Sequence, residues 1–295
     1  MKLKLEGIWT PIPTPLTEQG RVDADATRKL VDFHIEAGID GLLPLGTSGE
    51  FALLQRKERK TLVDTVVDQA DNRVPVVAGV SDPSIENVVQ FSSDAKEAGA
   101  DAVIATPPYY FTTTDEGHYH HFKTISENID LPLLIYNIPE WTHSFVTPET
   151  VQRLADEKLV VGMKYTEYNF LNLIRFLKES RNKISIFAGS DALAYSNLEF
   201  GGAGAIIGSA NVAPRVASKI FDDYKKGDLS GARESQERLL PIIMALSVGK
   251  YPAALKEAMS LIGVPVGPLK EALQALSVAE KRIVAGLLKS GGFLS

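Results

Sequence analysis

Short unbroken apolar runs, rich in valine and isoleucine, recur along the chain at 8–12, 41–45, 74–80, 102–106, 133–136, 159–163, 184–188 and 205–207. Continuous rather than alternating runs are the pattern of strands buried on both faces, as in parallel sheets. The stretches between them carry helical spacing. Over 26–37, Leu30, Val31, Phe33, His34 and Ala37 form one apolar stripe, with Arg28, Lys29, Asp32 and Glu36 outside it. Ala37-Gly38-Ile39-Asp40-Gly41 and Ala98-Gly99-Ala100-Asp101-Ala102 are near-repeats of one helix-to-strand junction, and Gly201-Gly202 marks a third. Glycine there suits a left-handed helix end. Repeated βα units without a break predict an α/β fold of the closed (β/α)8 TIM-barrel kind. An open doubly wound sheet would place a glycine-rich phosphate turn after its first strand. Here that segment is Thr10-Pro11-Ile12-Pro13-Thr14-Pro15, whose prolines have no N–H to offer.

Beyond the eighth run the pattern is helical over 213–226, 229–247, 253–261 and 277–290, with the loop Gly263-Val264-Pro265-Val266-Gly267-Pro268 before the last helix. This exceeds a minimal barrel. The expected organisation is a barrel domain over 1–225 and a C-terminal helical extension over 226–295, packed on the barrel or on a partner subunit.

At 295 residues the length alone admits one domain or two, and the eight runs decide for one barrel plus a tail. Hydrophobic residues at 44% and charged residues at 23% allow a large core and exclude a disordered chain. The net charge of −6 argues against a nucleic-acid partner. Cysteine is absent, which removes disulfides, thiolate nucleophiles, iron–sulfur clusters and cysteine-bound zinc. No apolar run of signal-peptide length follows Met1-Lys2-Leu3-Lys4-Leu5, and none reaches the ~18 residues of a membrane span, so a cytoplasmic protein without a membrane partner is expected.

Lys164 is the strongest anomaly, because it closes the otherwise apolar stretch Leu159-Val160-Val161-Gly162-Met163-Lys164. Burial disfavours an ammonium, and a neutral amine attacks carbonyls to form a Schiff base. The alternative is a strand-end lysine that reaches solvent or pairs with Glu167. Leu45-Gly46-Thr47-Ser48-Gly49-Glu50 can present hydroxyls and N–H groups to an anion, or it is a tight turn with Ser48 as a helix N-cap. Tyr136, in Tyr136-Asn137-Ile138-Pro139, can shuttle protons or fill the core. Thr106-Pro107-Pro108-Tyr109-Tyr110-Phe111 walls a pocket or docks on another subunit. In Gly189-Ser190-Asp191, Ser190 or Asp191 reads first as a helix N-cap. His118 and His121 share a helical face but lack a third metal ligand nearby, so the segment His118-Tyr119-His120-His121 reads as a helix carrying surface histidines and no metal site is expected.

Taken in order, Gly46-Thr47-Ser48-Gly49-Glu50, Tyr110, Tyr136-Asn137-Ile138-Pro139, Lys164 and Gly189-Ser190-Asp191 resemble the dihydrodipicolinate synthase / N-acetylneuraminate lyase superfamily, from Gly7 to the C-terminal helices. The resemblance implies a TIM barrel with a helical extension, a homotetramer built as a dimer of dimers, and small-molecule substrates: pyruvate with an aldehyde, or a 2-oxo acid. It implies no cofactor beyond the covalent Schiff base on Lys164. It casts Tyr136 as proton relay, Thr47 and Ser48 as carboxylate holders with Gly46 in their turn, and Tyr110 as an aromatic lent to a neighbour's relay. Gly189 and Ile206 match positions lining the pyruvate pocket. Trp141 stands where dihydrodipicolinate synthases place an arginine that clamps a substrate carboxylate. Together with Gly208-Ser209-Ala210-Asn211, this brings the motifs closer to 2-keto-3-deoxygluconate aldolases, so the expectation is a class I aldolase for a 2-keto-3-deoxy sugar acid. The alternatives are 4-hydroxy-tetrahydrodipicolinate synthase, a sugar-acid dehydratase or an N-acetylneuraminate lyase. A non-catalytic binding barrel would have lost Lys164 or Tyr136, and both are present.

Overall fold

The computed structural model describes residues 3–181 and 183–294. Met1, Lys2, Asn182 and Ser295 lie outside the described residues, and with them the first two residues of the N-terminal segment and the outer limits of both expected domains. Among the described residues eight parallel strands form one sheet: β1 (Gly7–Thr10), β2 (Gly41–Leu42), β3 (Val77–Gly79), β4 (Ala102–Ala105), β5 (Leu133–Asn137), β6 (Gly162–Tyr165), β7 (Ser185–Ala188) and β8 (Gly204–Ile206). Their spatial order is β2-β1-β8-β7-β6-β5-β4-β3. A parallel bridge between Leu42 and Val76 joins the two ends and closes the barrel. Each strand falls within or beside one of the eight apolar runs.

The runs are continuous because both strand faces are buried against different partners. Ile8, Val103, Leu133, Ile135, Met163, Ile186 and Ala205 pack outward under the helices. Their neighbours Trp9, Ile104, Leu134, Tyr136, Phe187 and Ile206 pack inward to fill the barrel. Trp9 is fully buried and meets the edge of Phe187 at a centroid distance of 5.8 Å. A Cβ on Gly41 would lie 2.4 Å from the Trp9 ring, so the strand beside it needs glycine. A buried aromatic of this kind contributes about 3–5 kcal/mol relative to alanine. By the same parity Lys164 points inward.

Gly38, Gly99 and Gly201 do take left-handed conformations at their junctions, with φ of 86°, 91° and 88°. The helix expected over 229–247 is instead two, Leu229–Arg238 and Leu240–Leu246. Pro241 is the cause: it enters as a first-turn residue of the second helix and cannot continue the first. The tail then packs against this chain's own barrel. Lys256, on helix Ala253–Leu261, forms a buried ion pair with Glu50 at 2.6 Å and donates to the carbonyls of Thr14 and Pro268. Burial pulls its ammonium below the usual lysine range, with Glu50 opposing. Lys270 bonds Glu58 at 2.6 Å and gives its N–H to Glu50. No described helix is long and apolar enough to cross a membrane.

Candidate active site

Tyr136 on β5 and Lys164 on β6 are paired in register, so both side chains enter the barrel mouth at one level. Lys164 is 4% exposed, and its Nζ donates to the Tyr136 hydroxyl at 3.2 Å. The same nitrogen lies 4.4 Å from the Tyr136 ring centroid. That hydroxyl lies 3.0 Å from Thr47 Oγ1. An oxygen that accepts from the lysine keeps its own proton for Thr47, so the three groups form one line along which a proton can move. The pairing of Lys164 with Glu167 does not occur. The Glu167 carboxylate accepts instead from the Tyr165 hydroxyl at 2.5 Å, and burial together with that carboxylate raises the phenol's pKa.

The turn after β2 bends sharply, with Leu45 and Glu50 left-handed at φ of 62° and 56°. Thr14 anchors it by donating to the Gly49 carbonyl at 2.6 Å. Among the described residues the N–H groups of Thr47 and Ser48 reach no protein acceptor, which leaves them for a ligand. Ser48 is not a helix N-cap. Its hydroxyl lies 2.7 Å from that of Tyr251, a phenol whose pKa burial raises. Gly46 and Ile206 sit behind this surface rather than on the cavity wall: Ile206 fills the barrel beside Tyr136 and Phe187, and Gly46 backs onto Leu43.

Gly189 lies directly against the lysine. A Cβ there would stand 2.9 Å from Lys164 Cε and 1.9 Å from Thr166 Oγ1, so any side chain would displace the amine. Ser190 and Asp191 tie loops together instead of capping a helix with their side chains. Ser190 donates to the Glu167 carbonyl, and Asp191 accepts from the Ser209 N–H at 2.6 Å. Asn137 pins the loop after β5 by donating to the Val146 carbonyl at 2.8 Å. That loop carries Trp141, 49% exposed, to the cavity rim.

These groups face a cavity of about 660 Å³. Thr47, Ser48, Tyr136, Trp141, Lys164 and Gly189 all lie on it. Tyr110 does not. It projects into solvent, 84% exposed at φ 78°, edge-on to the equally outlying Phe111. The wall also holds residues that the sequence reading missed, notably Lys250 and Tyr251 from the loop between helices Leu240–Leu246 and Ala253–Leu261. The break Val248-Gly249-Lys250-Tyr251-Pro252 between two helical stretches was the available signal, but nothing in it indicates which end of the barrel it covers.

His118 and His121 are 3% and 5% exposed, so they are buried and not surface histidines. Burial holds His121 down to about 4, and its Nε2 lies 3.2 Å from the Thr106 carbonyl, which braces the end of β4. Among the described residues no three histidine, aspartate or glutamate side chains converge to hold a metal.

The dihydrodipicolinate synthetase family profile matches residues 4–290. The chain belongs to that family. It is similar to the 4-hydroxy-tetrahydrodipicolinate synthase of Methanopyrus kandleri, 34% identical over 99% of this chain and 100% of that protein. It is also similar to the dihydrodipicolinate synthase of Thermotoga maritima, at a TM-score of 0.94 and 32% identity over 99% of this chain and 100% of that one. A third similar structure, at a TM-score of 0.93 and 30% identity over 98% and 99% of the two chains, is YagE, a prophage protein of the dihydrodipicolinic acid synthase family from E. coli K12 in complex with pyruvate. Dihydrodipicolinate synthetase family enzymes are pyruvate-dependent class I aldolases, and this chain is a carbon–carbon lyase of that type acting on small molecules. The names of the relatives favour the synthase alternative over the 2-keto-3-deoxygluconate aldolase expected from Trp141.

Proposed function

We propose that the protein joins pyruvate to aspartate semialdehyde as a 4-hydroxy-tetrahydrodipicolinate synthase, through a Schiff base on Lys164. The observation that supports it most is the buried line from Lys164 Nζ through the Tyr136 hydroxyl to Thr47 Oγ1. In this reading the Lys164 amine attacks C2 of pyruvate and water leaves, giving an iminium. The free N–H groups and hydroxyls of Thr47 and Ser48 take the pyruvate carboxylate. Tyr136 relays protons as the carbinolamine loses water. Loss of a C3 proton then gives an enamine, which forms the new carbon–carbon bond to the aldehyde carbon; the amine of the aldehyde substrate then attacks the regenerated iminium carbon, closing the ring and displacing the lysine amine.

No separate cofactor enters this scheme. A cytoplasmic location and a homotetramer go with it. The exposed Tyr110–Phe111 pair supports a neighbouring copy at that edge.

The second reading, aldol cleavage of a 2-keto-3-deoxy sugar acid, is favoured by Trp141 at the rim and by Glu140 and Asp191 on the wall, which suit hydroxyls. Product assays separate the two. Condensation of pyruvate with aspartate semialdehyde, without release of pyruvate from 2-keto-3-deoxygluconate, is the expected result. The opposite pattern replaces the first reading with the second.

A further inference from the structure

The outer cavity carries charge that imine chemistry does not use. Glu140, Glu167 and Asp191 face it together with Trp141, which offers one N–H and no charge. Glu167 is occupied by the Tyr165 hydroxyl, and one oxygen of Asp191 by the Ser209 N–H. A second carboxylate brought into this space meets like charge unless a cation answers it. Among the described lining residues the lysines and arginines number two, Lys164 and Lys250, and the first is consumed by the imine.

Lys250 is exposed, and its ammonium makes no ion pair among the described residues. Its backbone is held nonetheless. Tyr251 next to it is bonded to Ser48 at 2.7 Å, and the Lys250 carbonyl accepts from the Ala253 N–H at 3.0 Å. The fixed backbone and long side chain set a cation over the cavity, tethered through Tyr251 to the turn that carries Ser48.

We propose that Lys250 binds the carboxylate of the second substrate and so selects carboxylate-bearing aldehydes. It fills from the C-terminal helices the role that Trp141 cannot fill from the barrel. The proposal rests on the Schiff-base reading above.

The test compares succinic semialdehyde with its uncharged counterpart butanal, each with saturating pyruvate, in the wild type, Lys250→Gln and Lys250→Arg. The wild type should prefer the charged aldehyde. Lys250→Gln should cut that preference about 10- to 100-fold, mainly through KM, as expected for one charge-assisted hydrogen bond. Lys250→Arg should retain most of it. Borohydride trapping of pyruvate should be unchanged in both variants, which also shows that they fold. An absent wild-type preference, a ratio unchanged in Lys250→Gln, or a ratio lost instead when His143, which also lines the cavity, is changed to Gln overturns the assignment. A wild type that traps no pyruvate overturns the Schiff-base reading, whereas an intact adduct with an unchanged ratio overturns Lys250 alone.

Discussion

The strand ends of the barrel and the loop over 247–252 face the same cavity but are built differently. At the strand ends, Tyr136 and Lys164 are held by neighbouring β-ladders in register, and Gly189 leaves no slack around the amine. The loop is held by the Ser48–Tyr251 hydroxyl pair, by the Ala253 N–H bond to the Lys250 carbonyl and by the buried Glu50–Lys256 ion pair behind it. Rigid ladders suit bond-making, where a displacement of an ångström is costly. A tethered loop suits the choice of substrate, since it can vary without disturbing the barrel. On the proposed roles of Lys164 and Lys250, reaction type and substrate preference are set by separate parts of this chain.

Changes at the ladder should cost the most. Lys164→Ala removes the nucleophile and should lower turnover by about 10⁴-fold or more, with loss of the pyruvyl mass that borohydride adds to the wild type. An adduct persisting in this variant would place the imine elsewhere. Tyr136→Phe keeps the ring but deletes the relay, and should reduce kcat by about 10²- to 10⁴-fold. The pH profile should broaden, because the group that moves the proton is gone.

The loop should respond more mildly. Tyr251→Phe breaks the bond to Ser48 and leaves the barrel intact. We expect a rise of about 10-fold in KM for pyruvate and a loss of about 1 kcal/mol of stability. A large fall in kcat with KM unchanged would mean that Tyr251 belongs with the ladder. Read by thermal unfolding, this variant also measures how firmly the tail is fastened.

The smallest effect on chemistry, and a clear one on stability, is expected at His121. Its pKa is held by burial at about 4, below the ordinary histidine value of ~6.5. The unfolded chain therefore takes up a proton over that window while the folded chain does not. Stability contributed by the neutral ring is present above pH ~6.5 and is lost as the pH falls toward 4, by up to about 3 kcal/mol. His34, held near 3 by complete burial, acts in the same direction. Asp40, raised to about 6 by burial, acts in the opposite one. Denaturant unfolding of the wild type and His121→Gln at pH 7 and pH 4.5 isolates the contribution of this ring, and the variant should show the weaker pH dependence.

Much of the barrel was legible because its strands are buried on both faces. That demand leaves eight apolar runs in the sequence, and glycine must follow where a helix ends left-handed. Lys164 stood out for the same reason, since a lysine closing such a run is seldom buried without a partner, although solvent or Glu167 could also have answered its charge. Thr47, Tyr136 and Gly189 were legible as a set through family resemblance, since each alone reads equally well as a turn or as core.

What the sequence left open was decided by distance in space. Pairing of Lys164 with Glu167 spans three positions of chain, but the fold gives Glu167 to Tyr165. Ser48 looks like a cap until Tyr251, 203 positions later, reaches its hydroxyl. The burial of His118 and His121 follows from helix packing against the barrel, to which a short polar segment gives no clue. Local pattern determines which residues are strands, which are helices and which charge is out of place, because those depend on near neighbours and on burial. Which residues share a cavity, and that the C-terminal helices return Lys250 and Tyr251 to its mouth, was settled only when the closed barrel and its tail packed together, because that depends on contacts between residues far apart in the chain.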